Sequence, residues 1–83
     1  MFVGILNILS KLINVSVERK IREKNNIANE ITISKYNNLF GIGFGFVTYG
    51  NTDEEASKEA IFKLLKKLKW YYTVKIEKWL KLK

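Results

Sequence analysis

The residues best suited to binding chemistry are Phe44 and Phe46, which stand two positions apart in an alternating run from Ile42 to Tyr49. Alternation of this length predicts a β-strand, in which successive side chains point to opposite faces of the sheet. Both rings then share one face and form a platform on which bases can stack, as small sheets do with single-stranded nucleic acid. The pair therefore predicts a binding platform if this face looks outward.

Aromatic residues in strands more often belong to a hydrophobic core, and this is the structural alternative. Gly43 and Gly45 favour the platform, because a glycine inside a strand weakens it and often marks the close approach of a ligand or another backbone. We therefore expect Phe44 and Phe46 to face outward while Val47 and Tyr49 pack beneath the strand.

The composition gives little support for an enzyme. The 83 residues include no Cys and no His, which excludes thiolate and imidazole zinc sites and histidine general-base catalysis. The acidic residues from Asp53 to Glu55 precede an apolar periodic run, where a helix cap already explains them. We expect a non-catalytic protein without metal or cofactor.

The charge balance points to a polyanionic partner. Fifteen basic residues against eight acidic ones give a net charge of +7, and the segment from Ile61 to Lys83 holds eight lysines but one acid, Glu77. Such a balance suits nucleic acid. We predict RNA as the partner, single-stranded by preference, and a role as a ribonucleoprotein or ribosomal component that also contacts proteins of such a complex. The candidate lysine contacts are Lys75, Lys78 and Lys81.

The N-terminal segment from Met1 to Ile13 is apolar, yet it has no basic start, Lys11 interrupts it, and it is too short to span a bilayer. A helix lying in a membrane interface is a minor alternative. Its apolar face would consist of Phe2, Ile5, Leu9, Leu12 and Ile13. We expect an intracellular protein with no membrane partner.

Residues 1–83 are the length of one small domain. The segment from Glu30 to Ser34 alternates like a strand, and Tyr36-Asn37-Asn38 predicts a hairpin turn into the strand through Phe46. Residues 1–6 fit a short strand or a helix start, and residues 13–21 fit either a helix or a strand. Asn25-Asn26 predicts a break after them.

The clearest helix begins at Thr52, an N-cap that Glu55 completes as a capping box. Its apolar stripe predicts the side that packs on the sheet, with the lysines opposite. That stripe consists of Ala56, Ala60, Ile61, Leu64, Leu65 and Leu68. Alternation at Val74 and Ile76 predicts a final strand that runs toward Leu82.

Residues 42–49 resemble the long signature of the RNA recognition motif, K/R-G-F/Y-G/A-F-V-x-F/Y, at every specified position except the first, where Ile42 replaces a basic residue. Residues 1–6 resemble the family's short motif, and residues 73–78 its last strand. The resemblance implies an α+β domain of order βαββαβ (ferredoxin-like), with two helices on one face of a single antiparallel sheet. It also implies that Phe2, Phe44 and Phe46 stack on RNA bases.

A second resemblance is to double-stranded-RNA-binding domains and related ribosomal proteins, whose order is αβββα. Residues 5–12 and 53–69 would be its helices. The basic cluster of that family at the start of the second helix is absent, because Asp53, Glu54 and Glu55 stand there. Acidic residues would repel the phosphates that this helix end should bind.

The alternative to RNA binding is a protein-interaction module, such as a small phage or mobile-element effector. Ile42 and Ile5 motivate it, because they make the predicted sheet face more apolar than an RNA platform requires. Weak salt dependence would indicate such an interface, whereas RNA binding weakens steeply as salt rises.

Overall fold

The computed structural model of the chain describes residues 1–20 and 29–82. The predicted break at Asn25-Asn26 lies outside these residues. Within them the elements follow the order αβββα. They are α1 (Phe2–Leu12), β1 (Ser16–Lys20), β2 (Asn29–Asn37), β3 (Ile42–Gly50) and α2 (Asp53–Lys81).

The three strands form one antiparallel sheet in the order β1-β2-β3. Ser16 pairs with Ser34 across β1 and β2, and Ile33 pairs with Phe46 across β2 and β3. The ambiguous stretch after α1 is thus a strand from Ser16 to Lys20. The predicted strand at residues 30–34 is confirmed. The turn between β2 and β3 lies at residues 38–41, later than the predicted Tyr36-Asn37-Asn38, because Tyr36 and Asn37 still pair with β3.

Both helices cover the same face of the sheet. Leu6 of α1 lies in the buried core cluster together with sheet and α2 residues. The sheet contributes Ile31 and Ile33, and α2 contributes Ala56, Ala60 and Leu64. These α2 residues recur at intervals of four, so they line one side of the helix. The predicted packing stripe of α2 is confirmed at these three positions, while Leu65 remains exposed.

The start of α2 is capped as the sequence predicts. The Thr52 hydroxyl accepts a hydrogen bond from the Glu55 backbone N–H at 3.1 Å. The Glu55 carboxylate in turn accepts one from the Asn51 N–H at 2.9 Å. These bonds satisfy backbone donors that the first helical turn leaves without partners. A buried bond from the Thr48 hydroxyl to the Ala56 carbonyl, 2.9 Å long, fixes α2 against β3.

The end of α2 corrects the sequence prediction. The strand expected from Val74 to Leu82 is wrong, because α2 continues without interruption to Lys81. Tyr71 is buried and Val74 and Lys75 are half-buried, a spacing of three and four that belongs to a helix. Residues 53–83 contain no Gly, Pro or Asn, so nothing in the sequence ends a helix that is already nucleated.

The predicted α+β class, with two helices on one face of an antiparallel sheet, is confirmed. Of the two element orders that the sequence left open, the structure has αβββα, and the favoured order βαββαβ is not observed. Residues 2–12 form a helix where the RNA recognition motif has its first strand. In the part of the chain that the structure describes, no strand follows β3.

Candidate nucleic-acid interface

The two phenylalanines of β3 lie on the helix-covered face of the sheet. Their rings stack with centroids 6.3 Å apart and planes inclined by 10°, and both pack against the core cluster. Their side of β3 also carries Ile42 and Thr48, which are buried. The expectation that both rings face outward is therefore wrong. The reason is the strand register, which places Phe46 beside the buried Ile33.

The opposite face of the sheet has no aromatic pair to replace them. Tyr36 and Tyr49 are exposed there, but Tyr36 pairs with Gly43, which lies six residues from Tyr49 along β3. Six residues of strand span about 20 Å, which is several times the spacing of stacked bases. Neither face of the sheet carries the platform that the sequence predicted.

Gly43 has a structural explanation that needs no ligand. A Cβ added there would stand 2.7 Å from the Lys35 carbonyl oxygen and 2.7 Å from the Tyr36 ring. The ring of Tyr36 thus occupies the space that a side chain at position 43 would take. Gly45 is different, because the nearest atom to an added Cβ there is the Ile33 carbonyl oxygen at 3.6 Å.

Phe2 lies far from the β3 rings. It belongs to the first turn of α1, where its ring centroid is 5.8 Å from Lys58 Nζ. Phe44 instead contacts Tyr71, thirteen residues further along α2. At 1.5 Å per residue these two positions on the helix are about 20 Å apart. The structure does not bring the three predicted stacking residues together.

The predicted lysine contacts lie along the last turns of α2. Lys75 Nζ is 5.9 Å from the Phe40 ring, and Lys78 Nζ donates a 3.0 Å hydrogen bond to the Phe40 carbonyl. Both lysines hold the turn between β2 and β3 against the helix. Lys81 is exposed at the helix end. Only Lys81 is therefore free of the hairpin contact that engages the other two.

A groove between α2 and the edge strand β3 brings together basic and aromatic side chains that the sequence prediction did not select. Lys66, Lys67 and Trp70 line it from the helix, and residues 43–45 line it from the strand. Its volume is about 530 Å³. The indole of Trp70 is 47% exposed. The spacing of three and four residues among these helix positions was the available sequence signal.

The acidic residues at the other end of α2 are engaged in holding the fold together. Glu54 accepts hydrogen bonds from the Met1 amine at 2.8 Å and from the Phe2 N–H at 2.7 Å, so it caps α1. The bond to the amine, followed by those to backbone N–H groups, lowers the pKa of Glu54 below its ordinary value. Asp53 pairs with Arg19 of β1. These contacts leave the lysine-rich remainder of α2 as the basic part of the surface.

The apolar sheet face of the protein-interaction alternative is not present. Ile42 is buried on the helix-covered face, and Ile5 lies on α1 rather than on the sheet. The open face instead carries polar side chains, among them Glu18, Thr32 and Ser34.

Comparison with protein-family models, with curated proteins and with solved structures gave no match for this chain. Among residues 1–20 and 29–82, no helix combines the length and the apolar character needed to cross a membrane. A functional interpretation therefore rests on the residues themselves and on their arrangement.

Proposed function

We propose that this chain is a non-catalytic RNA-binding protein that holds a single strand in the groove between α2 and β3. The observation that supports it is the position of exposed Trp70 beside Lys66 and Lys67, across from the backbone of residues 43–45. A basic groove with an exposed aromatic ring is the usual arrangement for single strands. The proposed interface therefore lies beside the sheet, between α2 and β3, and not on a face of the sheet.

Each part of the groove has a distinct role in this proposal. Lys66 and Lys67 contact phosphates, and Lys63 extends the same side of the helix by one turn. Trp70 offers its ring to one base, and a stacked base contributes about 1–3 kcal/mol. Residues 43–45 form the opposite wall of the groove, so a bound strand would lie between them and the two lysines.

A single strand fits this surface better than a duplex. Although the order αβββα is also that of double-stranded-RNA-binding domains, their second helix begins with basic residues, whereas Asp53 and Glu54 begin α2. The net charge of +7 then acts mainly through the lysines beyond the first turns of α2. The proposal includes an intracellular role as a ribonucleoprotein or ribosomal component.

Two tryptophans with equal exposure supply the test. Trp70 and Trp79 are each 47% exposed, but only Trp70 lines the groove. Fluorescence anisotropy with a labelled single-stranded RNA measures the affinity of the parent, of Trp70→Ala and of Trp79→Ala. Loss of one stacked base lowers the affinity of Trp70→Ala by about five- to 150-fold. Trp79→Ala is expected to bind like the parent.

The salt dependence separates RNA binding from the protein-interaction alternative. The affinity of the parent should fall steeply as salt rises, and the slope should decrease in Lys66→Ser with Lys67→Ser. Equal loss in both tryptophan variants, or no measurable RNA binding at low salt, would contradict the proposal. A protein partner that pairs with the edge of β3 would then be the better explanation of the groove.

A further inference from the structure

The side of α1 that faces away from the core exposes a row of apolar side chains. Met1, Ile5, Ile8 and Leu12 recur along α1 at intervals of three and four, so they form a second stripe beside the one that packs on the core. Ile8 is 61% exposed and Leu12 is 76% exposed. Isolated exposed apolar residues are ordinary, whereas a continuous stripe marks a contact surface.

A matching stripe runs along α2. Leu65, Tyr72 and Ile76 are exposed and lie seven and four residues apart, which places them on one side of the helix. Glu54 and Lys58 lie on this same side by spacing, and they contact the first residues of α1. Leu65 therefore lies beside α1, whereas Tyr72 and Ile76 lie beyond it, next to Leu39 and Phe40 of the hairpin turn. We name the adjoining exposed side chains the outer helix face: Ile5, Ile8, Leu12 and Leu65.

This face is separate from the proposed RNA groove. Lys66, Lys67 and Trp70 lie on the flank of α2 toward β3, whereas Leu65 shares by spacing the flank of Glu54 and Lys58, which contact α1. Within residues 1–20 and 29–82, the four side chains of the outer helix face are between 40% and 76% exposed.

The charges around the outer helix face indicate what covers it. α1 carries Lys11 and no acidic residue, and Lys58 and Lys69 lie beside Leu65 by helical spacing. Glu54 lies on the same side of α2, but its charge is paired with the Met1 amine. Between Phe62 and Leu82 the one acidic residue is Glu77. A second copy of the chain would bring these lysines against their equivalents, with a net charge of +7 on each partner. An anionic surface is complementary to them.

We propose that the outer helix face docks on the surface of an anionic lipid bilayer, with α1 and α2 lying in the plane of the interface. Ile8, Leu12 and Leu65 enter the boundary between headgroups and acyl chains, and the neighbouring lysines contact anionic headgroups. Helices that combine an apolar stripe with lysines bind membranes in this orientation without spanning them. This proposal departs from the expectation, drawn from the sequence, that the chain has no membrane partner.

Sedimentation with lipid vesicles tests the proposal. One set of vesicles contains phosphatidylcholine alone, and the other also contains about one-quarter phosphatidylglycerol as the anionic lipid. The parent chain should bind the anionic vesicles and leave the neutral ones largely free. Ile8→Gln with Leu12→Gln should reduce the binding by about tenfold or more, because two exposed apolar side chains no longer enter the interface.

A control variant carries equally exposed substitutions on the other side of the molecule. Tyr36→Gln with Tyr49→Gln changes the open face of the sheet and should bind anionic vesicles like the parent. Circular dichroism establishes that both double variants are folded. Since all four positions are exposed, neither variant is expected to disturb the core.

Three results would overturn the proposal. In the first, both double variants still bind anionic vesicles and added salt abolishes the binding. This would mean that the lysines alone attract the chain to the vesicles. The second is a concentration-dependent dimer, measured by analytical ultracentrifugation, that Ile8→Gln with Leu12→Gln dissociates while vesicles bind none of the chain. The third is the absence of vesicle binding by a monomeric parent. RNA affinity is a separate measurement, so either proposal can fail while the other stands.

Discussion

The ring of Tyr71 meets the ring of Phe44 edge-on, with centroids 5.9 Å apart and planes inclined by 77°. Tyr71 is 2% exposed, although it lies beyond residue 69, where the sequence prediction ended the helix. Lys35 Nζ lies 5.3 Å from the centre of the same ring. This contact joins the second half of α2 to β2 and β3 and explains why the helix continues past the core cluster.

Replacement of Tyr71 by alanine should strongly destabilise the fold. Removing a buried aromatic side chain costs about 3–5 kcal/mol of the free energy of unfolding, because the cavity does not close completely. Urea unfolding followed by circular dichroism measures this change. Tyr71→Phe keeps the ring and should retain most of the stability. If Tyr71→Phe lost as much stability as Tyr71→Ala, the ring contact with Phe44 would not be the source of the stabilisation.

Arg19 joins three elements, so its loss should also destabilise the protein. Its guanidinium donates hydrogen bonds to the carboxylate of Asp53 and the hydroxyl of Ser57 on α2, and to the amide oxygen of Asn7 on α1. Hydrogen bonds to charged groups contribute about 1.5–3 kcal/mol, and Arg19→Met should lower the free energy of unfolding by this amount.

The neighbouring Lys20 provides the control for Arg19. Lys20 is exposed on the open face of the sheet, and Lys20→Met should change the free energy of unfolding by less than about 0.5 kcal/mol. A double-mutant cycle between Arg19→Met and Asp53→Asn should give a coupling energy of about 0.5–3 kcal/mol. Additive effects of the two substitutions would contradict a direct interaction in solution.

Gly50 should not tolerate a side chain, because β3 ends there against the start of α2. A Cβ at this position would stand 2.5 Å from the Ala56 backbone nitrogen and 2.8 Å from Glu55 Cβ. Backbone atoms must move to make room, so Gly50→Ala should destabilise the protein by about 1–3 kcal/mol. Gly45→Ala is the matched control and should change stability by less than about 0.5 kcal/mol. Equal effects in thermal unfolding would refute the steric explanation.

The contact of Glu54 with the start of α1 predicts a loss of stability in acid. Its pKa in the folded protein lies below the ordinary value of 4.5, chiefly because the Met1 amine donates a hydrogen bond to it. As the pH falls below 4.5, the unfolded chain binds the proton first, so folding weakens. The stabilisation is complete above pH 4.5 and is lost as the pH falls through the folded pKa.

Glu54→Gln tests this prediction when the urea midpoint is measured from neutral to acidic pH. The variant should lose part of the decline that the parent shows below pH 4.5, since Gln carries no titrating carboxyl. Glu59→Gln removes the same charge from an exposed position beside β3 and is the control for the loss of one carboxylate. An unchanged slope in Glu54→Gln would show that other carboxylates cause the acid sensitivity.

The correct sequence predictions concern local structure. The alternation of residues 42–49, the alternation of residues 30–34 and the cap formed by Thr52 and Glu55 all depend on residues close together in the chain. These predictions need no information about contacts between distant parts of the chain. The predicted strand at Val74 and Ile76 failed because a two-residue alternation also occurs by chance in a helix that has no breaker.

The placement of Phe44 and Phe46 needed information that alternation does not contain. Both faces of β3 carry apolar side chains, so alternation defines the two faces without telling which one the helices cover. The register supplies the answer, because Ile33 and Phe46 pair and therefore point to the same side. Ile31 and Ile33 mark the apolar side of β2. Together with the position of the hairpin turn at residues 38–41, they could have shown which face of β3 is covered.

By itself the sequence determined the net charge, the lack of Cys and His, the α+β class and the start of the long helix, since these follow from composition and local spacing. Only the tertiary structure decided that the phenylalanine pair is covered, that Trp70 and two lysines face the edge of β3, and that apolar side chains of α1 and α2 lie side by side. Each of these depends on free energies of packing between segments far apart in the chain, and local patterns leave such contacts undetermined.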